Sequence, residues 1–372
     1  MVLSLLPTFI ISLPGSNPAL LGLIEGIAEA LSYSMRAISG LFSDKLGKRK
    51  SIILVGYGLS NIVKPFFGVV NSVYEALTIR VFDRVGKGVR TAPRDAMICD
   101  SVSEENRGAA FGLHRTLDQA GAILGPLIAS GLLIFLSFTV REVFWVSIIP
   151  GIVALVILVF FVKEQSCKSE TKFTFLKGVK SVLRGDFLWL IGIVSVFSLG
   201  AFNFSFILLY GSEVGISGEF IPLLFALVNV AHVVVAIPAG LLSDRVGREK
   251  MLFVGYSVFF VLNLTIFIGP GSYFVALIVA VFFGLYQGIV NTVTRAMIPK
   301  YVKHSLVGTA YGMYYLVVGF SFLVANLIVG LLWNNFGPNL SVLYSLFLTV
   351  VSLLGFAIFI KSKTDSKLKK QA

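Results

Sequence analysis

The sequence predicts an all-α integral membrane protein with twelve transmembrane helices in two six-helix bundles, the first helix apparently truncated. Composition is the first reason. The 372 residues are 56% hydrophobic and 13% charged, with mean hydropathy +0.89, whereas soluble domains carry about a quarter charged residues. Charge placement is the second. Lys45, Lys48, Arg49 and Lys50 follow one apolar run, Arg245, Arg248 and Lys250 another, and Lys300 and Lys303 a third, with further lysines between 163 and 184 and in the tail. The alternate loops (14–17, 71–72, 137–142, 211–218, 269–272 and 333–340) carry only Arg141. This alternation sets the basic loops and the C-terminus in the cytoplasm of a multi-pass cell-membrane protein. It also explains the formal charge of +12 without invoking nucleic acid. Repetition is the third. Residues 40–50, GLFSDKLGKRK, return two hundred positions later as residues 240–250, GLLSDRVGREK, a duplication of one membrane unit.

The elements follow in order. Residues 1–13 are apolar but too short to span, and Pro14-Gly15 ends them. They read as the second half of helix 1, or alternatively as a short half-inserted helix. Spans 2 to 6 are expected at about 18–42, 51–70, 72–98, 107–135 and 143–162. The basic segment 163–186 reads as a cytoplasmic linker between domains 1–162 and 187–372. Spans 7 to 12 are expected at about 187–210, 219–242, 251–268, 273–298, 306–332 and 341–360. The repeat extends beyond the loops. Val55-Gly56-Tyr57 returns as Val254-Gly255-Tyr256, Ala96-Met97-Ile98 as Ala296-Met297-Ile298, and Gly108 and Gly112 as Gly308 and Gly312. Six spans per half give both halves the same orientation, related by an axis along the membrane normal. Cys99 and Cys167 both fall on the cytoplasmic side, so no disulfide is expected. Nothing resembles a metal site, and no cofactor is expected.

These residues resemble the major facilitator superfamily over nearly the whole chain. The family's loop signature, G-x-L-x-D-[RK]-x-G-[RK]-[RK], is met by Gly40, Leu41, Asp44, Lys45, Gly47, Lys48 and Arg49. Its second copy is met by Gly240, Leu241, Asp244, Arg245, Gly247 and Arg248, with Glu249 a departure. Gly40 and Gly240 would permit close helix approach, and Gly47 and Gly247 a sharp turn. Asp44 and Asp244 would face positive helix ends near Ser305 and near Glu105-Asn106, closing the cytoplasmic side. The alternative is plain anchoring by basic residues at the lipid surface. On span 5, Gly112, Gly121, Gly125 and Pro126 match a signature of exporters in this family, while Ala129 and Ser130 stand where glycines are usual. Close packing of small residues would serve an importer equally well. Arg80, with Gly86 and Gly88 after it, resembles the intramembrane arginine of span 4, although Arg84 replaces a common glycine. Residues 83–95 also resemble a prokaryotic subgroup of mostly uncharacterised permeases.

Ionisable side chains within spans are costly and default functional candidates. At the helical period, Glu25, Glu29, Ser32 and Arg36 fall within an arc of about 60° on span 2. Arg80, Asp83, Arg84, Lys87, Arg90 and Arg94 fall within about 120° on span 4. His114, Asp118, Gly121 and Gly125 share a face of span 5, and Lys64 adjoins Pro65 on span 3. Asp118, in the cytoplasmic half of span 5, is expected to meet Arg84 or Lys87. A carboxylate alternating between an arginine and water changes its proton affinity with conformation. Asp118, Glu29 and Asp83 are therefore the proton-coupling candidates, in that order, followed by Glu25. Arg80, Arg84, Lys64, His114, Gln287 and Asn291 are the candidates for the solute cavity. Lys87, Arg90 and Arg94 read as gate or surface charges, and His232 as a packing residue. The alternative is a permanent salt-bridge network holding spans 2, 4 and 5 together.

The resulting expectation is a secondary transporter working by alternating access as a monomer, with proton-coupled export of a small organic solute. Two alternatives stand beside it: proton-coupled or facilitated uptake of an anionic solute held by Arg80, Arg84 and Lys64, and a non-transporting membrane sensor or assembly protein. Enzyme chemistry is not expected, because no nucleophile–base pair, metal cluster or phosphate loop is present in the sequence.

Overall fold

A computed structural model describes residues 1–46, 49–103, 107–164, 181–269, 271–302 and 306–371. The regular structure among them is entirely helical. The chain divides into two compact units, Met1–Phe173 with Ser217–Ala226, and Thr174–Ile216 with Leu227–Ala372.

In the first unit, α1 (Val2–Ser12) gives way at Leu13 to extended backbone, and Gly15 takes φ +72°. Asn17 then receives the Leu20 N–H at 2.9 Å, and Pro18 opens α2 (Pro18–Leu46) at a position where no N–H is needed. The helix continues through residues 43–46, beyond the end at about residue 42 expected from the sequence. Next is α3 (Arg49–Val63), whose first amides, Arg49 N and Lys50 N, donate to Glu164 Oε1 at 2.8 and 3.0 Å. Lys64-Pro65 tightens its end into a 3₁₀ segment, Lys64–Val69. Ser72 caps α4 (Val73–Asp100), and α5 (Arg107–Phe135) follows with Pro126 inside it. Thr139 and Glu142 form a capping box on α6 (Val140–Val146), which continues after Ser147 as α7 (Ile148–Phe161).

In the second unit, the predicted span 7 is two helices, α8 (Gly185–Gly200) and α9 (Phe204–Glu213). No proline causes the break. Asn203 Oδ1 accepts from the Ser205 N–H and Oγ at 3.0 and 2.9 Å, an arrangement that replaces helical bonding. The Asn203 N–H donates to Asn326 Oδ1 at 2.9 Å. The remaining helices are α10 (Ile221–Val246), which belongs to this unit from Leu227 onward, α11 (Arg248–Ile268), α12 (Tyr273–Met297) with a 3₁₀ end (Ile298–Tyr301), α13 (Val307–Phe336) and α14 (Pro338–Gln371). Gly247 takes φ +101° between α10 and α11, the turn that the repeated loop requires there.

Among the described residues, nine helical segments are long and apolar enough to cross a membrane. At 29 and 28 residues, α2 and α4 are also long enough, but their charged faces lower their hydropathy. With α1, the twelve helices of the predicted fold are accounted for, six per repeat. Large apolar side chains such as Phe160, Phe161, Ile237 and Phe347 face outward, as a lipid solvent requires.

Candidate functional site

Glycine contacts bring α4 against both α2 and α3. A Cβ on Gly88 would stand 2.6 Å from the Ser32 carbonyl oxygen on α2. One on Gly86 would stand 2.7 Å from the Gly56 carbonyl oxygen on α3. Helices this close bring their polar faces within ion-pair reach.

Arg80, 1% exposed, donates through Nη2 to both oxygens of the fully buried Glu25, at 2.9 and 2.7 Å. Its Nη1 lies 3.4 Å from Asp83 Oδ2. Asp83 Oδ1 accepts from Ser60 Oγ at 2.5 Å and lies 3.4 Å from Lys64 Nζ on the 3₁₀ segment. One turn along both helices, Arg84 Nη1 lies 3.2 Å from Glu29 Oε1. The step repeats because α2 and α4 run in the same direction. Three carboxylates thus face three cations across α2, α3 and α4. Burying one of these charges alone would cost several kcal/mol.

Two further cations occupy the same face of α4. Lys87 is half-buried at the middle of the helix; its carbonyl accepts from Thr91 Oγ1 at 2.6 Å, and its ammonium makes no ion pair or hydrogen bond among the described residues. The Arg90 guanidinium carbon lies 4.1 Å from the Tyr57 ring centroid, and its Nη1 is buried without an acceptor among the described residues. Arg36 lies similarly over Tyr33, at 4.8 Å, and Arg94 pairs with Asp95 at 2.8 Å.

The other expected site residues are distributed differently. Asp118 is exposed on α5, and its ionic partner is Arg115 of the same helix, at 3.8 Å, rather than Arg84 or Lys87. Arg84 is already engaged by Glu29. His114 lies half-exposed on α5. On α12, Gln287 is half-buried and Asn291 exposed, while His232 is buried on α10. Gly121 is open, Pro126 is buried, and Gly125 lies against Met1. Gly40 meets Ala92 at an ordinary contact distance. Asp244 pairs with Arg248 at 3.4 Å. Gly47, the Asp44 and Gly112 side positions, Cys99, Cys167, Ser305 and Glu105-Asn106 lie outside what is described, and the contacts expected of them go with them.

Two features went unread in the sequence. The second unit holds an aromatic cluster: Phe197 stacks on Tyr256 at 3.5 Å, and Phe259, Tyr286, Phe202 and Phe283 continue it. At the cytoplasmic turns, Arg49 pairs with Asp100, while Glu249 accepts from Lys300 and from the Tyr301 hydroxyl. Burial and the neighbouring Glu249 hold the Tyr301 phenol above its ordinary range, so it remains a donor. Superposing the repeat on itself would have found the paired turns, because Glu249 and Lys300 stand two hundred positions after Arg49 and Asp100.

A family model described as the Major Facilitator Superfamily matches residues 1–189 and again 188–372. An uncharacterized MFS-type transporter of Methanocaldococcus jannaschii is 32% identical over 95% of this chain and 88% of that protein. Multidrug resistance protein MdtG of Proteus mirabilis is 23% identical over 72% of this chain and 69% of that protein. Among solved structures, a mutant of the nucleoside transporter NupG superposes with TM-score 0.81 at 10% identity, covering 96% of this chain and 94% of that one. The peptide transporter POT in complex with sulfate superposes with TM-score 0.79 at 12% identity, covering 98% and 91%. At such identities these structures establish the fold alone. The chain belongs to the Major Facilitator Superfamily, a family of membrane transporters of small molecules and not of enzymes.

Proposed function

We propose that this protein is a proton-coupled secondary transporter that exports a small organic solute across the cell membrane by alternating access, as a monomer with its basic loops in the cytoplasm. The observation that carries the coupling is Asp83, a buried carboxylate shared between Lys64, Ser60 and Arg80 on three elements. A proton on Asp83 cancels its charge and releases Lys64 and one arm of Arg80, while Glu25 keeps the other arm. Protonation thereby loosens the tie between α3 and α4 without expelling Arg80 from its pocket. Glu29, bound to Arg84, is the next candidate. Asp118 follows, because an exposed carboxylate gains and loses protons with little consequence for helix packing. The outward direction is supported by the small-residue pattern of α5 and by the similarity to MdtG proteins.

Uptake of an anion by Arg80, Arg84 and Lys64 draws less support, since each already faces a carboxylate. The test is proton flux in reconstituted vesicles under an imposed pH gradient, against a panel of solutes. Solute-dependent proton movement is expected, and its absence with every solute refutes the coupling. Wild-type flux in Asp118→Asn would remove that residue from the mechanism.

A further inference from the structure

The six paired charges of the first unit cancel, Glu25, Glu29 and Asp83 against Lys64, Arg80 and Arg84. What remains on the face they share is of one kind. The Lys87 ammonium has three N–H donors and no partner among the described residues. Beside the half-buried Lys87, Arg90 Nη1 and the Nε atoms of Arg80 and Arg84 are buried without acceptors. The Ser32 hydroxyl, fully buried on the facing side of α2, is also unpartnered. No carboxylate oxygen of this cluster is among the unpartnered atoms. The face is thus rich in donors, poor in acceptors and positively charged. Buried polar groups left unpaired in a native protein call for an explanation, an unseen ligand being one. Water can satisfy N–H groups but cannot neutralise Lys87 and Arg90. A cationic cargo would meet repulsion from both, and a neutral apolar one would leave the donors unpaired.

We infer that Lys87 and Arg90, at the middle of α4, form the recognition site for the cargo's negative charge, so that the transported solute is an organic anion presenting a carboxylate or phosphate. This rests on the transporter reading above and names its substrate class. The Arg80–Glu25 and Arg84–Glu29 pairs border the site and hold α4 in register. Lys87 and Arg90 are the groups left to bind the anion. Arg90 is oriented by its cation–π contact with Tyr57.

The test is thermal unfolding of the purified full chain at constant ionic strength. The probes are benzoate, succinate, inorganic phosphate and phenyl phosphate, with benzamide and succinamide as neutral counterparts of the two carboxylates. At least one anion is expected to raise the unfolding temperature where chloride and the neutral amides do not. Lys87→Gln should weaken that binding at least tenfold, and Lys87→Arg should retain it. Lys300→Gln, at the cytoplasmic turn, should leave it unchanged. Unliganded Lys87→Gln should unfold no earlier than the wild type, because it removes a charge that has no partner. Failure of every anion to exceed chloride and the amides overturns the inference. So does binding that survives in the Lys87→Gln/Arg90→Gln double variant, or a Lys87→Gln protein that is destabilised without ligand. The assay uses no proton gradient. Proton flux driven only by neutral or cationic solutes would therefore leave the transporter reading intact and refute this one.

Discussion

The two halves share a scaffold and differ in what they bury. A Cβ on Gly88 would meet the Ser32 carbonyl at 2.6 Å, and one on Gly288 would meet the His232 carbonyl at 2.6 Å, two hundred positions on. Gly15 and Gly215, similarly related, both take positive φ. Around these matched points the chemistry diverges. Glu25, Glu29, Arg80, Asp83, Arg84 and Lys87 of the first half correspond to Phe225, Asn229, Ala280, Phe283, Gly284 and Gln287 of the second. One half packs α2 on α4 through ion pairs, whereas the other packs α10 on α12 beside an aromatic cluster. Duplication supplied the architecture, and divergence concentrated the titratable groups in one copy. The proposed coupling chemistry accordingly draws on α2, α3 and α4, where the buried ion pairs lie.

The largest expected effect comes from breaking the buried pairs. Arg80→Ala strands Glu25 in the first unit and should cost about 3–5 kcal/mol, read as a lower unfolding temperature and poor recovery of folded protein. Ala280→Ser, at the matched position of the second unit, should cost less than about 1 kcal/mol, the net size of one hydrogen-bonding change. Equal losses at the two positions would dissolve the distinction between the halves.

The shared scaffold should show the opposite pattern. Gly88→Ala and Gly288→Ala drive a methyl into a backbone carbonyl in both units. Each should cost about 1–3 kcal/mol, the usual penalty of overpacking. Equilibrium unfolding of the two variants should agree closely, and a large difference would show that the repeat is not equivalent there.

The smallest effect concerns the cytoplasmic turns, where the same positions carry one bridge with its polarity reversed, Arg49 with Asp100 and Glu249 with Lys300. Partly exposed pairs of this kind contribute up to about 1 kcal/mol. Reversing one charge should destabilise the protein by about that amount. Reversing both members of a pair should restore it, as a double-mutant cycle would report.

Much of this was legible in the chain. The repeated turn and the alternation of lysine-rich loops predicted the architecture, and angular arithmetic on spans 2 and 4 identified the charged faces. Which turn of α2 meets which turn of α4 was not legible. That pairing depends on how deeply Gly88 lets the two helices approach, which the period of a helix does not encode. The expected meeting of Asp118 with Arg84 failed for a related reason: Glu29 reaches Arg84 first. The break in span 7 escaped notice because Asn203 and Ser205 replace helical bonds with side-chain ones, and neither residue is a strong helix breaker in sequence.

The central claim is that the first half's carboxylate network couples proton movement to the cargo. Vesicles containing Asp83→Asn test it most directly, assayed for solute counterflow without a gradient and for solute movement driven by a pH gradient. Counterflow should persist at near wild-type rate, since a permanently neutral side chain still allows the two conformations to exchange, while gradient-driven accumulation should vanish. Gradient-driven accumulation undiminished in Asp83→Asn would contradict the account.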